Sequence, residues 1–142
     1  MFAVIRVRGD VNLRKEIKDT LKMLRLNRIN HCVLLRKDPS IEGMIKKVKD
    51  FITWGEISDK TLEKLIANRG RMAGDKKIEG NEVKVMVSRI KKSGNLMKIE
   101  GFKSVFRMNP PRKGHDRIKL PYPKGALGYR GEKINDLLER MM

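Results

Sequence analysis

Imidazole and thiol chemistry has little to work with in this chain, which holds two histidines, His31 and His115, and one cysteine, Cys32. These cannot supply three or four metal ligands without carboxylates, and no ligand spacing supports a site. His31 and Cys32 are neighbours in an apolar run that reads as a strand, so their side chains face opposite ways and cannot pair as base and nucleophile. A small buried cysteine beside a partly exposed histidine is the simpler reading. The sequence has no phosphate-cradling glycine loop followed by Lys-Ser/Thr, no dinucleotide fingerprint and no nucleophile elbow. No catalytic residue, cofactor or metal is expected.

What the chain holds in quantity is positive charge. Lysine and arginine number 34 against 17 acids in 142 residues, a formal charge of +17. Such a surplus repels itself in a folded body, and a polyanion relieves it. Nucleic acid is the expected partner, because neutralising phosphates releases counterions. An anionic membrane would ask instead for a basic amphipathic helix backed by a bulky apolar face, and none is visible. No apolar run approaches the roughly 20 residues of a spanning helix. Charge enters at Arg6 and Arg8, too early for a signal peptide. The single cysteine suits a cytoplasmic protein.

The charge is densest between residues 101 and 131, where 8 basic side chains face the single acid Asp116. The same stretch holds five glycines, four of the five prolines and both tyrosines. Pro110-Pro111 disfavours helix and holds Arg112, Lys113 and His115 on an extended segment suited to irregular RNA backbone. Lys119, Tyr122, Lys124, Tyr129 and Arg130 interleave cations with rings able to stack on unpaired bases. Arg28 and His31 flank a turn where no apolar pattern demands them, offering a phosphate fork and a stacking or hydrogen-bonding ring. Phe2, Phe51 and Trp54 read as core.

The elements that must carry these residues follow from periodicity. Phe2 to Arg8 alternates as a buried strand. Leu13, Ile17, Leu21 and Leu24 form one helix stripe, with Asn12 a plausible cap. His31 to Arg36 is a second strand. Asp38-Pro39 starts a second helix, the aspartate accepting free N–H groups and the proline having none to leave unpaired. Ile41, Met44, Ile45, Val48, Phe51 and Ile52 continue the helix stripe. Gly43 lies inside it at a cost of about 1 kcal/mol relative to alanine, so a neighbouring element or RNA is expected to approach the backbone there, packing being favoured. Ile52 to Ile57 is a third strand, and Ser58 or Asp59 caps a third helix ending at Gly70. The order β-α-β-α-β-α predicts helices on one face of a small sheet, an α/β sandwich of the ferredoxin-like, two-layer sort with antiparallel pairing. Residues 1–70 make this core, and 71–101 are an inserted segment. Within the insertion Val83 to Ile90 favours a short helix capped by Asn81, although Val83, Val85 and Val87 also fit a strand. Residues 102–142 are expected to give one edge strand at Val105 to Met108, an irregular basic arm, and a closing helix on Ile134, Leu137, Leu138 and Met141.

Two resemblances bear on function. Val7-Arg8-Gly9-Asp10-Val11-Asn12-Leu13-Arg14 loosely resembles the first loop of acylphosphatases, which would imply phosphate binding by backbone N–H groups and an arginine. The second glycine of that loop is absent, and no downstream asparagine stands ready to position water. The second is more specific. Thr20-Leu21, Leu24, Leu26, Arg28, His31 and Val33, then Met44-Ile45, Val48 and Phe51-Ile52, resemble the L-thirty family of large-subunit ribosomal proteins without a gap. The run Ile41-Glu42-Gly43-Met44-Ile45 is similar to that family's second-helix motif, and bacterial members stop near Trp54. Phe106-Arg107-Met108-Asn109-Pro110-Pro111-Arg112-Lys113-Gly114-His115-Asp116 resembles the C-terminal motif of the longer archaeal and eukaryotic type. The resemblance implies a cytoplasmic structural protein without catalytic role, bound to large-subunit rRNA near the 5S rRNA region, with neighbouring ribosomal proteins as further partners. A general DNA or chromatin binder is the non-enzymatic alternative, since charge alone does not identify the polymer.

Overall fold

Strand β1 (Phe2–Arg6) is buried along its whole length in the computed structural model, which describes residues 1–142 apart from the side chain of Met97. It runs antiparallel to β2 (His31–Leu35) on one side and to β3 (Ile52–Glu56) on the other. Alternation then divides its side chains between two apolar layers. Phe2 and Val4 join Val33, Leu35 and Ile52 beneath α1 (Lys15–Met23) and α2 (Pro39–Lys47). Ala3 and Ile5 join Cys32 and Leu34 beneath α3 (Asp59–Arg69), α4 (Gly80–Ser93) and α5 (Ile134–Met141). A strand covered on both faces carries a continuous apolar run, as Phe2 to Ile5 does.

The mixed α/β sandwich is the class that the alternating pattern predicts. The helices, however, divide between both faces of the sheet instead of sharing one. Residues 71–101 contribute the favoured helix, and Val83, Met86, Val87 and Ile90 of α4 enter the core beside α3. Residues 102–142 extend the sheet further than an irregular arm would. Strand β4 (Val105–Arg107) pairs with β2 at one edge. Strands β5 (Arg117–Pro121) and β6 (Gly125–Tyr129) continue the other, giving the order β4-β2-β1-β3-β6-β5. Strand β6 runs parallel to β3, with Thr53 beside Gly128 and Trp54 beside Tyr129.

Three caps differ from expectation. Asn12 sits in a turn at φ 55°, and Arg14 holds the cap position of α1. Asp38 does precede Pro39 at the start of α2, but its carboxylate bonds no helix N–H and faces Arg36 at 3.4 Å. Glu79, not Asn81, stands at the cap of α4. Ser58 behaves as expected, its hydroxyl accepting the Thr61 N–H at 3.3 Å.

Two glycines show opposite requirements. A Cβ on Gly55 would lie 2.1 Å from the Gly131 carbonyl oxygen and 2.9 Å from the Ile134 Cβ, so α5 seats against β3 only where a side chain is missing. Gly43 is exposed, and a Cβ there would meet nothing within 4 Å. The packing reason expected for it is not present among the described residues.

Candidate nucleic-acid interface

Buried charge first fixes the end of the sheet where Arg28 and His31 stand. Arg6, 2% exposed, donates from Nη1 to the Leu26 carbonyl at 2.8 Å and from Nε to the Arg8 carbonyl at 2.9 Å, and pairs with Asp10. One guanidinium thus ties the loop after β1 to the turn before β2. Asn30, at φ 65°, closes that turn by donating its N–H to the Arg6 carbonyl and accepting from the Met108 N–H. Arg28 is left exposed on a fixed backbone. His31 lies beside it, paired in register with Arg107 of β4. Burial, then Arg107, Arg28 and Arg6, holds the imidazole pKa below its ordinary 6.5. Its Nδ1 is buried and has no partner among the described residues. A neutral ring among arginines is a poor phosphate clamp alone, but the arginines around it make a cationic end.

Arg112 and Lys113 are also displayed on a pinned turn. The N–H of Asn109 donates to the Met141 carbonyl at 3.1 Å, and that of Arg112 to the Arg140 carbonyl at 3.0 Å. Arg140 reaches back to the carbonyls of Arg112 and Gly114. The loop therefore satisfies carbonyls at the end of α5, which a helix terminus leaves free. Pro111 is buried, while Arg112 and Lys113 are exposed. His115 is half-buried; neither ring nitrogen finds a partner among the described residues, and burial followed by Arg130 and Arg140 lowers its pKa.

The remaining five residues surround the β5–β6 edge. Lys119 and Lys124 are exposed, and Tyr122 is partly so. Tyr129 is 51% exposed and its ring stands 6.2 Å from that of Trp54. Arg130 is placed differently from the others. At 8% exposure, it donates from Nε to the Thr53 hydroxyl at 2.9 Å and from Nη2 to the Ala126 carbonyl at 3.1 Å. Its guanidinium also lies 5.5 Å from the Tyr122 ring centre. That arginine is committed to holding β6 on β3.

The ten residues therefore fall into three groups: the β2 end, the turn against α5, and the β5–β6 edge. Sequence reasoning passes over Arg107, whose place beside His31 depends on β4 pairing. It also assigns Trp54 to the core; the indole packs against the cluster beneath α1 and α2 but stays half-buried. Nucleophilic chemistry is excluded physically at the thiol, since complete burial pushes the Cys32 pKa up to about 12. The Gly9 loop is no phosphate cradle, because Asp10, next to Gly9, places a carboxylate there that pairs with Arg6 of β1. Among the described residues no three His, Cys, Asp or Glu groups converge as metal ligands. No described helix is long and apolar enough to cross a membrane.

Residues 2–52 match the family described as ribosomal protein L30p/L7e. Three archaeal relatives, each named large ribosomal subunit protein uL30, align over essentially their whole length. That of Methanosphaera stadtmanae is 43% identical, covering 100% of both chains. That of Methanococcus vannielii is 47% identical, covering 99% of both. That of Archaeoglobus fulgidus is 43% identical, again covering 99% of both. The strands, helices and basic turns described above span the same full length, and the chain belongs to the uL30 family of large ribosomal subunit proteins.

Proposed function

We propose that this protein is a structural constituent of the large subunit of the cytoplasmic ribosome, binding and stabilising large-subunit rRNA near the 5S rRNA region, beside neighbouring ribosomal proteins. The observation that carries the reading is the way cations are displayed. Arg28, Arg112 and Lys113 are exposed on turns whose backbones are bonded into the fold. Rigid display lowers the ordering cost of each phosphate contact. Phosphate contacts position a protein on folded RNA without reading bases, which is what stabilising one RNA shape requires. The sheet built by residues 1–70 is the RNA-binding core, and 102–142 return to its two edges with the basic turn.

Sedimentation of cell lysate at moderate salt tests this reading against DNA binding. The protein is expected in the large-subunit fraction, resistant to DNase and released by RNase. Retention on DNA with absence from the ribosomal particle would overturn it.

A further inference from the structure

The Trp54–Tyr129 pair joins a half-buried indole, packed in part against the core cluster, to a largely exposed phenol ring. Trp54 lies opposite Val4 of β1 and beside Tyr129 of β6. It thus points to the α1–α2 side of the sheet, where Leu127 of β6 is buried but Tyr129, at the end of the strand, is exposed. The rings are tilted by 45° to one another. A hollow of about 300 Å³ opens on one side of the pair, walled by Phe2, Ile45 and Lys46. A second, of about 270 Å³, opens on the other, walled by Lys49, Lys119 and Pro121. Both rings line both hollows. One carboxylate faces each, Glu42 in the first and Asp50 in the second, against two lysines apiece. Lys37 of the first is already held by Glu56 at 3.4 Å and by the Phe2 ring, leaving Lys46 there and Lys49 and Lys119 beyond.

We infer that this pair is a stacking platform for unpaired RNA bases, one base entering each hollow, with Lys46, Lys49 and Lys119 meeting the flanking phosphates. The inference rests on the rRNA-binding reading and adds a base-stacking subsite to it. Two aromatic rings flanked by hollows take planar groups from either side, and the surplus of lysine over carboxylate selects a polyanion to carry them. A duplex cannot use such a site, because its bases are stacked on each other and only phosphates and groove edges reach a protein face. Single-stranded RNA offers free base faces, and aromatic stacking accepts them with little sequence preference.

Trp54 is the only tryptophan, so tryptophan emission reports this site alone. The full-length protein is titrated with a short single-stranded oligoadenylate, with a duplex of equal length, and with a large-subunit rRNA fragment. The oligoadenylate should quench Trp54 and the duplex should not. Tyr129→Leu should weaken oligoadenylate binding roughly tenfold, while Tyr129→Phe, which keeps the ring, should match wild type. Circular dichroism verifies that both variants are folded. Unchanged Trp54 emission with salt-dependent rRNA binding intact overturns the platform and leaves the rRNA reading standing. Failure to bind the rRNA fragment at all removes both. Quenching by a proline-rich peptide in place of the oligonucleotide would assign the face to a protein neighbour and overturn the inference.

Discussion

Arg130 donates from Nε to the hydroxyl of Thr53 at 2.9 Å, across 77 positions of sequence. The same hydroxyl donates to the Gly128 carbonyl at 2.9 Å, so one side chain of β3 ties down the C-terminal end of β6 and the residue just after it. Among the described residues no carboxylate hydrogen-bonds to the guanidinium; its stabilisation comes from a hydroxyl, a carbonyl and the face of Tyr122. Truncation to alanine would strand the Ala126 carbonyl and open space beside β3. Arg130→Ala should therefore lower folding stability by about 1–3 kcal/mol. Urea unfolding, compared with Lys113→Ala, which should be unchanged, checks this. Equal midpoints would mean that Arg130 is free to bind RNA after all.

The two glycines predict opposite outcomes for one substitution. Gly55→Ala drives a methyl into the Gly131 carbonyl and Ile134, and should cost about 1–3 kcal/mol or displace α5. Gly43→Ala meets open space inside a helix and should gain about 1 kcal/mol. Thermal or urea denaturation of the two variants gives both signs. If Gly43→Ala stabilises the free protein yet weakens rRNA binding, the open helix face is where RNA approaches.

Acid should destabilise the protein well before its carboxylates titrate. Burial, ahead of neighbouring arginines, holds both His31 and His115 below the ordinary histidine pKa of 6.5. As pH falls through that value, the unfolded chain takes up protons that the folded chain refuses. Stability is then highest above the unfolded pKa, declines as pH drops through 6.5, and levels off below the folded pKa values. Asp10 and Asp75, held below 3.8 chiefly by Arg6 and Lys103, lose their contribution only in stronger acid. Urea midpoints measured from about pH 7.5 to about pH 5 should fall, and the double variant His31→Gln, His115→Gln should flatten the profile. A flat wild-type profile would contradict the burial argument.

Sequence patterns locate the central strands and helices because their apolar periods are strong. Phe2 to Ile5, the α3 leucines and the α5 stripe all fall in the core as the periods require. Caps are less legible: Asn12 and Asn81 suit a cap by type, but geometry puts Arg14 and Glu79 before the first turns, and Asp38 holds its cap position without bonding a helix N–H. Strand β6 is hidden because Gly125 and Gly128 break its two-residue period, and β5 because its short alternation of Ile118 and Leu120 sits in an exposed, basic, proline-flanked stretch. The strand that β6 joins, β3, lies some 75 positions earlier, as the Thr53–Gly128 bond measures. Trp54 misleads for a related reason. Whether a strand residue is covered depends on how far a helix from elsewhere reaches across the sheet, and the residue's own neighbourhood carries no record of that. Among the ten basic and aromatic candidates, residue type alone does not separate exposed Arg112 from buried Arg130.

Phosphate contacts made by exposed, backbone-pinned cations are what hold this protein on rRNA in the function proposed above. Salt-titrated binding of wild type and the double variant Arg112→Ala, Lys113→Ala to a large-subunit rRNA fragment tests this most directly. Both side chains are exposed, so the fold should survive. Affinity should fall by a similar factor on RNAs of different sequence, because phosphates carry no base information. The slope of log affinity against log salt should become shallower by about 0.7–0.9 for each phosphate that the variant no longer neutralises. A double variant whose affinity and salt slope both equal those of wild type would contradict this mode of binding.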